Sequence, residues 1–354
     1  MQPGRRRQGQ PVNRLYAVVL AGGRGSRFWP LSNPGQPKPF LPLCEDGTSM
    51  VSRTWQRLEG IVGAERVFVV ADSKHSELIG SQLPDLPAGR FVEEEGERGT
   101  AAAVCLAAER ICREDPGALL LVCPSDHQIS PDGEFSRTVE FAVNCLEALE
   151  GEEDPVTLIL GVEASSPLTC YGYLSCGEVV ESSDGLQCSR VSAFKEKPDP
   201  ASAAAFLDSG AALWSTGIFL WRAGDYLRLF EKYVGGSGSA PGEPVSVDEG
   251  ILEKTSNVFS VRASFSWLDV GTWDRYALEL EEAGSGNRVR GNFVSLDTKD
   301  CIVVSGRRMI AAVGVKDLVI VETENSVLVC HRDSAERVRD LVQEMDNHRD
   351  AADS

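Results

Sequence analysis

Residues 15–43 read LYAVVLAGGRGSRFWPLSNPGQPKPFLPL. Residues 15–21 are apolar and rich in β-formers, the pattern of a strand buried on both faces of a parallel sheet. The run breaks at Gly22 and Gly23, and Gly25 follows. Glycine removes side chains where a backbone bends, so that N–H groups can approach a ligand. Arg27 and Lys38 set two fixed positive charges beside the bend. A strand, a glycine-rich bend and two cations suit a polyphosphate at the carboxyl end of a strand. A dinucleotide fingerprint would need a third glycine where Phe28 stands, and a Walker loop would need Gly-Lys-Ser/Thr, which is absent. A plain glycine turn with surface arginines would leave Trp29-Pro30 and Pro37-Lys38 as coincidences.

Outward from this stretch, strands are expected over 66–70, 91–92, 118–122 and 156–160. Helices are expected between them over 73–83, 100–113 and 134–149. The alternation implies an α/β fold, a doubly wound and mostly parallel sheet. Beyond Gly161 the strand-like runs 171–174, 191–194 and 217–221 build a further subregion on the same sheet. Asp199-Pro200 is an N-cap followed by proline at the first helical position. Short helices are expected over 248–254 and 272–282, with a glycine-rich surface loop over 235–242. From 292 to 329 short β-runs alternate with turns, and a charged helix follows over 334–345. The expected organisation is a disordered tail over 1–13, a catalytic domain over 14–286, a small C-terminal β domain with its helix over 287–346, and a second disordered tail over 347–354.

The chain has 354 residues, 42% of them hydrophobic, and a net charge of −18. That charge argues against nucleic acid or an anionic membrane as partner. An anionic nucleotide must then be received by a local basic pocket or a metal ion. Ten cysteines occur without a Cys-x-x-Cys pair, several inside apolar runs, as core residues of a reducing compartment do. No stretch approaches the ~18 apolar residues of a membrane span. A cytoplasmic protein is expected.

The stretch AGGRGSRFWPLS followed by PKPFL resembles the signature of sugar-phosphate nucleotidylyltransferases, and its Phe-Trp-Pro-Leu-Ser form is closest to the mannose-1-phosphate guanylyltransferases, or GDP-mannose pyrophosphorylases. The resemblance extends over roughly residues 15–345. It implies a Rossmann-like, GT-A-like nucleotidyltransferase fold and transfer of GMP from GTP to α-D-mannose 1-phosphate. A homodimer through the C-terminal β domain would be in keeping with it. Because the attacking phosphate is already an anion, catalysis must hold two anions together and neutralise charge. This calls for cations and a carboxylate-held Mg²⁺.

On that resemblance the nucleotide would be bound by Leu20, Ala21, Gly22, Gly23, Gly25, Ser26, Glu94, Gly99 and Thr100, and its triphosphate by Arg27 and Lys38. Asp126, in Cys123-Pro124-Ser125-Asp126-His127, and Asp269, in Trp267-Leu268-Asp269-Val270-Gly271, would hold the metal. Alone, Asp126 could cap a turn and Asp269 could favour a helix N-terminus. Lys197, in Glu196-Lys197-Pro198, would meet the sugar phosphate, while Glu196, Gly172 and Ser215 would face the sugar. By itself Lys195-Glu196-Lys197 is also the pattern of a solvated charge run, and Tyr171-Gly172-Tyr173 that of an ordinary strand. Three positions depart from the family pattern: Gly99 and Ser215 stand for asparagines, and Pro39 for a glutamine. They bear on base and sugar choice. The rival readings are a related enzyme with another base or hexose, and a catalytically weak nucleotide-sugar-binding regulatory protein.

Overall fold

β1 (Leu15–Leu20) is almost wholly buried and lies between two parallel neighbours, as its composition requires. The computed structural model describes residues 14–352 except Arg24, Glu45, Glu97 and 237–242. The tail over 1–13 and most of the glycine-rich loop therefore lie outside the described residues. The chain divides into two units. The first runs to Gly22 and continues through Thr54–Ser125 and Ile129–Trp267; the second takes Gly23–Arg53, Asp126–Gln128 and the chain from Leu268 onward.

The first unit holds β2 (Val67–Asp72), β3 (Phe91–Glu94) and β4 (Leu119–Pro124). A short β5 (His127–Ser130) follows. Then come β6 (Thr157–Glu163), β7 (Tyr173–Ser183), β8 (Leu186–Lys195), β9 (Ala212–Arg222) and β10 (Val258–Arg262). Apart from β5, these strands and β1 make one nine-stranded sheet in the order β3-β2-β1-β4-β9-β6-β10-β8-β7. The expected parallel core is β3-β2-β1-β4. Beyond it the sheet is mixed, because β9 inserts antiparallel between β4 and β6. Leu20 pairs in register with Pro124, so the chain leaves β1 and β4 at the same edge. Ser125 closes that edge by donating from its N–H and hydroxyl to the Leu20 carbonyl, at 3.1 and 2.7 Å.

The helix Thr100–Glu114 packs its alanine-rich face on this sheet, with Ala101, Val104, Ala107, Ala108 and Ile111 buried. Small residues bring its backbone close to the strands. Thr100 is its first helical residue, as the expected start at 100 requires, and Gly99 occupies the cap position. The Asp199 cap is found as expected, its carboxylate accepting from the Ala201 and Ser202 N–H groups at 3.0 Å.

In the second unit the signature's Phe28 is fully buried, its ring 5.0 Å from Trp273 and 6.1 Å from Tyr276. An aromatic anchor thus sits where a dinucleotide loop would need glycine. The helix expected over 272–282 is only one turn, Trp273–Tyr276, continued by a 3-10 turn over Ala277–Glu279. It stops because Glu281 and Glu282 extend to pair with the strand Arg288–Arg290. That strand, Ile302–Ser305 and Leu318–Glu322 stack in parallel, as do Phe293–Leu296 and Ile310–Val313. The expected C-terminal β region is therefore built of successive parallel coils. Asp297, Asp300 and Asp317 take left-handed conformations at its corners. The final helix spans Val338–Ala352, so the tail expected from 347 is helical through 352; the last two residues lie outside the described set. No helix among the described residues is long and apolar enough to cross a membrane.

Candidate active site

The second unit brings together the signature lysine and both candidate metal ligands. Strand β5 pairs with the strand Ser266–Asp269, which sets Asp126 and Asp269 side by side. The Lys38 ammonium lies 2.7 Å from Asp126 Oδ2 and 3.8 Å from Asp269 Oδ1. It stands 5.6 Å from the centre of the Phe28 ring, and the lysine is 5% exposed, a burial that a cation tolerates only when paired. Gly25 makes this possible: with φ near 62°, a Cβ there would stand 2.3 Å from Lys38 Cβ. His127 Nε2 lies 3.8 and 3.9 Å from the two carboxylates. Burial pushes the Asp126 carboxyl up, but Lys38 and His127 outweigh it and lower it to about 2.

Two carboxylates converging on one cation are a hard-oxygen donor set. A small divalent ion that keeps several waters needs few protein ligands. Among the described residues no cluster of three or more His, Cys, Asp or Glu groups could hold a metal, so an ion here would draw on these two aspartates. Arg27, expected on the triphosphate, is held by Glu336 at 2.7 Å. Ser26 opens the 3-10 turn that carries Arg27.

The remaining candidates, Gly23 excepted, lie in the first unit. Leu20 ends β1, and Ala21 donates to the Val70 carbonyl at 2.8 Å. A side chain added at Gly22 would meet no atom within 4 Å; Gly23, of the second unit, has the same open space but a φ of 93° that favours glycine. Glu94 ends β3 and is buried. The loop leading from it is clamped to the segment 245–247. Val245 donates to the Arg98 carbonyl at 3.2 Å, and Ala101 donates to the Val245 carbonyl at 3.1 Å. The Val247 N–H donates to the Thr100 hydroxyl at 3.0 Å. A Cβ on Gly99 would stand 2.3 Å from the Val245 carbonyl oxygen, and its φ of 81° is left-handed. An asparagine has no room there while 245–247 keeps its course.

Gly172, Glu196, Lys197 and Ser215 also come together. Ser215 donates its N–H to the Gly172 carbonyl at 2.8 Å, and a Cβ on Gly172 would lie 2.7 Å from a Glu196 carboxylate oxygen. The glycine thus makes room for Glu196. Lys197, at a φ of 41°, donates to Glu196 at 2.6 Å. Two acids that the resemblance did not single out join this cluster. Glu253 accepts from Lys195 at 2.8 Å and from the Glu196 N–H at 3.1 Å. Burial and the Glu196 carboxylate push the Asp248 carboxyl up to about 7, against the pull of Lys197. Both sit on or beside the single π-helical turn Asp248–Leu252. The only sequence signal was a short charged helix over 248–254, and π turns are frequent at functional sites.

Gly99→Asn should destabilise the protein and weaken nucleotide use, because the added side chain must displace the Val245 backbone. Thermal unfolding with kinetics checks it, and an undiminished melting temperature would contradict the clash. Asp248 supplies a pH test. Its raised pKa means that the folded state keeps a proton which the unfolded chain releases, so stability falls between about pH 4 and 7. Asp248→Asn should therefore melt above the wild type at pH 8, and the difference should fade toward pH 4. A gap independent of pH would contradict this.

Residues 16–283 match the nucleotidyl transferase family, and residues 291–345 match the mannose-phosphate isomerase/GMP-like beta-helix domain. The xanthan biosynthesis protein XanB of Xanthomonas campestris pv. campestris is 34% identical over 94% of this chain and 73% of its own. A mannose-1-phosphate guanylyltransferase of Escherichia coli is 30% identical over 94% of this chain and 76% of its own. The crystal structure of a Thermus thermophilus protein, described as a mannose-1-phosphate geranyltransferase, superposes with a TM-score of 0.81 at 31% identity, covering 94% of this chain and 99% of that one. This chain belongs to the nucleotidyl transferase family, as an enzyme of the sugar-phosphate nucleotidylyltransferase kind with a C-terminal β-helix region.

Proposed function

We propose that the enzyme transfers GMP from GTP to α-D-mannose 1-phosphate, giving GDP-mannose and pyrophosphate. The observation that carries this reading is the buried Lys38 ammonium between the Asp126 and Asp269 carboxylates, at the base of a glycine loop. A phosphate oxygen of the sugar 1-phosphate attacks the α-phosphorus, and the bond to the β-phosphate oxygen breaks as pyrophosphate leaves. No proton need be removed from the nucleophile, so positioning and charge neutralisation dominate. The backbone around Leu20–Ser26 would receive the phosphates, with Arg27 and Lys38 neutralising them. Glu94, Gly99 and Thr100 would frame the base. Lys197 would hold the sugar phosphate as a point charge, and Glu196 would bond sugar hydroxyls beside Gly172 and Ser215.

Asp126 and Asp269 would hold Mg²⁺, which when bound supplies positive charge to phosphate oxygens. Residues 14–286 would act as the catalytic domain. The C-terminal coils would join two copies, since Val294, Leu296, Val313, Val327 and Val329 stand exposed on them. A cytoplasmic location follows from an intracellular nucleotide substrate.

The test is pyrophosphate release from GTP, ATP, UTP and dTTP, each paired with mannose 1-phosphate and glucose 1-phosphate. GTP with mannose 1-phosphate should give the highest kcat/KM. If another triphosphate is best, the guanylyl assignment fails. Asp126→Asn and Asp269→Asn should each lower Mg²⁺-dependent kcat/KM by at least about 100-fold with the fold retained, and near-normal rates in both would remove them from the metal site.

A further inference from the structure

The sugar-phosphate motif does not hold itself in place. Lys197 adopts a left-handed backbone conformation, which a residue with a side chain keeps only when its surroundings impose it. Lys195 and Glu196 both reach one acceptor, Glu253 Oε1: the ammonium at 2.8 Å and the main-chain N–H at 3.1 Å. The Lys195 ammonium, with the Glu196 N–H, holds the Glu253 carboxyl below its usual range, so it is ionised at neutral pH. Glu253 is itself anchored, because Ile251 and Leu252 just before it are buried in the core.

We propose that Glu253 is a positioning residue for the sugar 1-phosphate. Through the Glu196 N–H it fixes the backbone from which Glu196 and Lys197 reach the substrate. The inference rests on the reading of Glu196-Lys197-Pro198 as the sugar-phosphate motif. The main-chain bond matters more than the ion pair, because it acts on the residue next to Lys197. The pair with Lys195 is exposed at its lysine end and contributes little.

Three full-length variants separate these contacts. Glu253→Gln keeps an oxygen acceptor for the N–H and loses the charge. Lys195→Met loses the ion pair alone. Glu253→Ala loses both. Glu253→Ala should raise KM for mannose 1-phosphate at least about tenfold, leaving KM for GTP within about twofold. Glu253→Gln and Lys195→Met should stay within about threefold on both substrates. Independently of any substrate, exchange of the Glu196 amide hydrogen should quicken in Glu253→Ala and not in Glu253→Gln. If the alanine variant does not fold, Glu253→Met takes its place.

Equal rises in both KM values, or an alanine variant that behaves as wild type, would overturn the proposal. So would a Lys195→Met variant reproducing the whole effect. If the wild type prefers another sugar phosphate or triphosphate, the functional reading falls, and the comparison is read with that pair. If the wild type turns over none, the Glu196 amide decides Glu253's role alone.

Discussion

A buried ammonium must be balanced where it sits, and Lys38 is balanced by two carboxylates from distant parts of the chain. Removing a charge from water costs several kcal/mol unless close opposite charge returns it. Much of the second unit serves this pairing. Gly25 gives up its side chain to let Lys38 close in. Phe28 supplies a ring beside the ammonium and is packed by Trp273, four residues beyond Asp269. The signature and the Trp-x-Asp block are thus parts of one local core.

The same economy holds for the other cations of the candidate site. Arg27 rests on Glu336, Lys195 on Glu253 and Lys197 on Glu196. In a chain with a net charge of −18, each of these cations is already held by an acid. The raised Asp248 carboxyl is the counterpart: burial, and then the Glu196 carboxylate beside it, make it keep its proton more readily.

How much of this was legible in the sequence depended on the range of each interaction. The strand at Leu15–Leu20, its glycine bend and the Asp199 cap are local, and local pattern showed them. Asp126 and Asp269 could be named because each sits in a recognisable block, although their convergence on Lys38 is tertiary. Gly99 was legible only as a missing amide. Its reason is the Val245 backbone, which lies far along the chain. Glu253 carried no signal, since a glutamate on a short helix is ordinary until Lys195 and the Glu196 N–H are found against it. The helix expected to reach 282 failed because strand pairing at Glu281 outweighed helical propensity.

The claim that Lys38 and Asp126 form a mutually required buried pair is tested most directly by a double-mutant cycle. Unfolding free energies would be measured for the wild type, Lys38→Met, Asp126→Asn and the double variant. Each single change leaves one charge without its nearest partner, so each should destabilise. The double variant should be more stable than the sum of the two losses by about 1–3 kcal/mol. Additive losses would mean that the two charges do not depend on one another and would contradict the account.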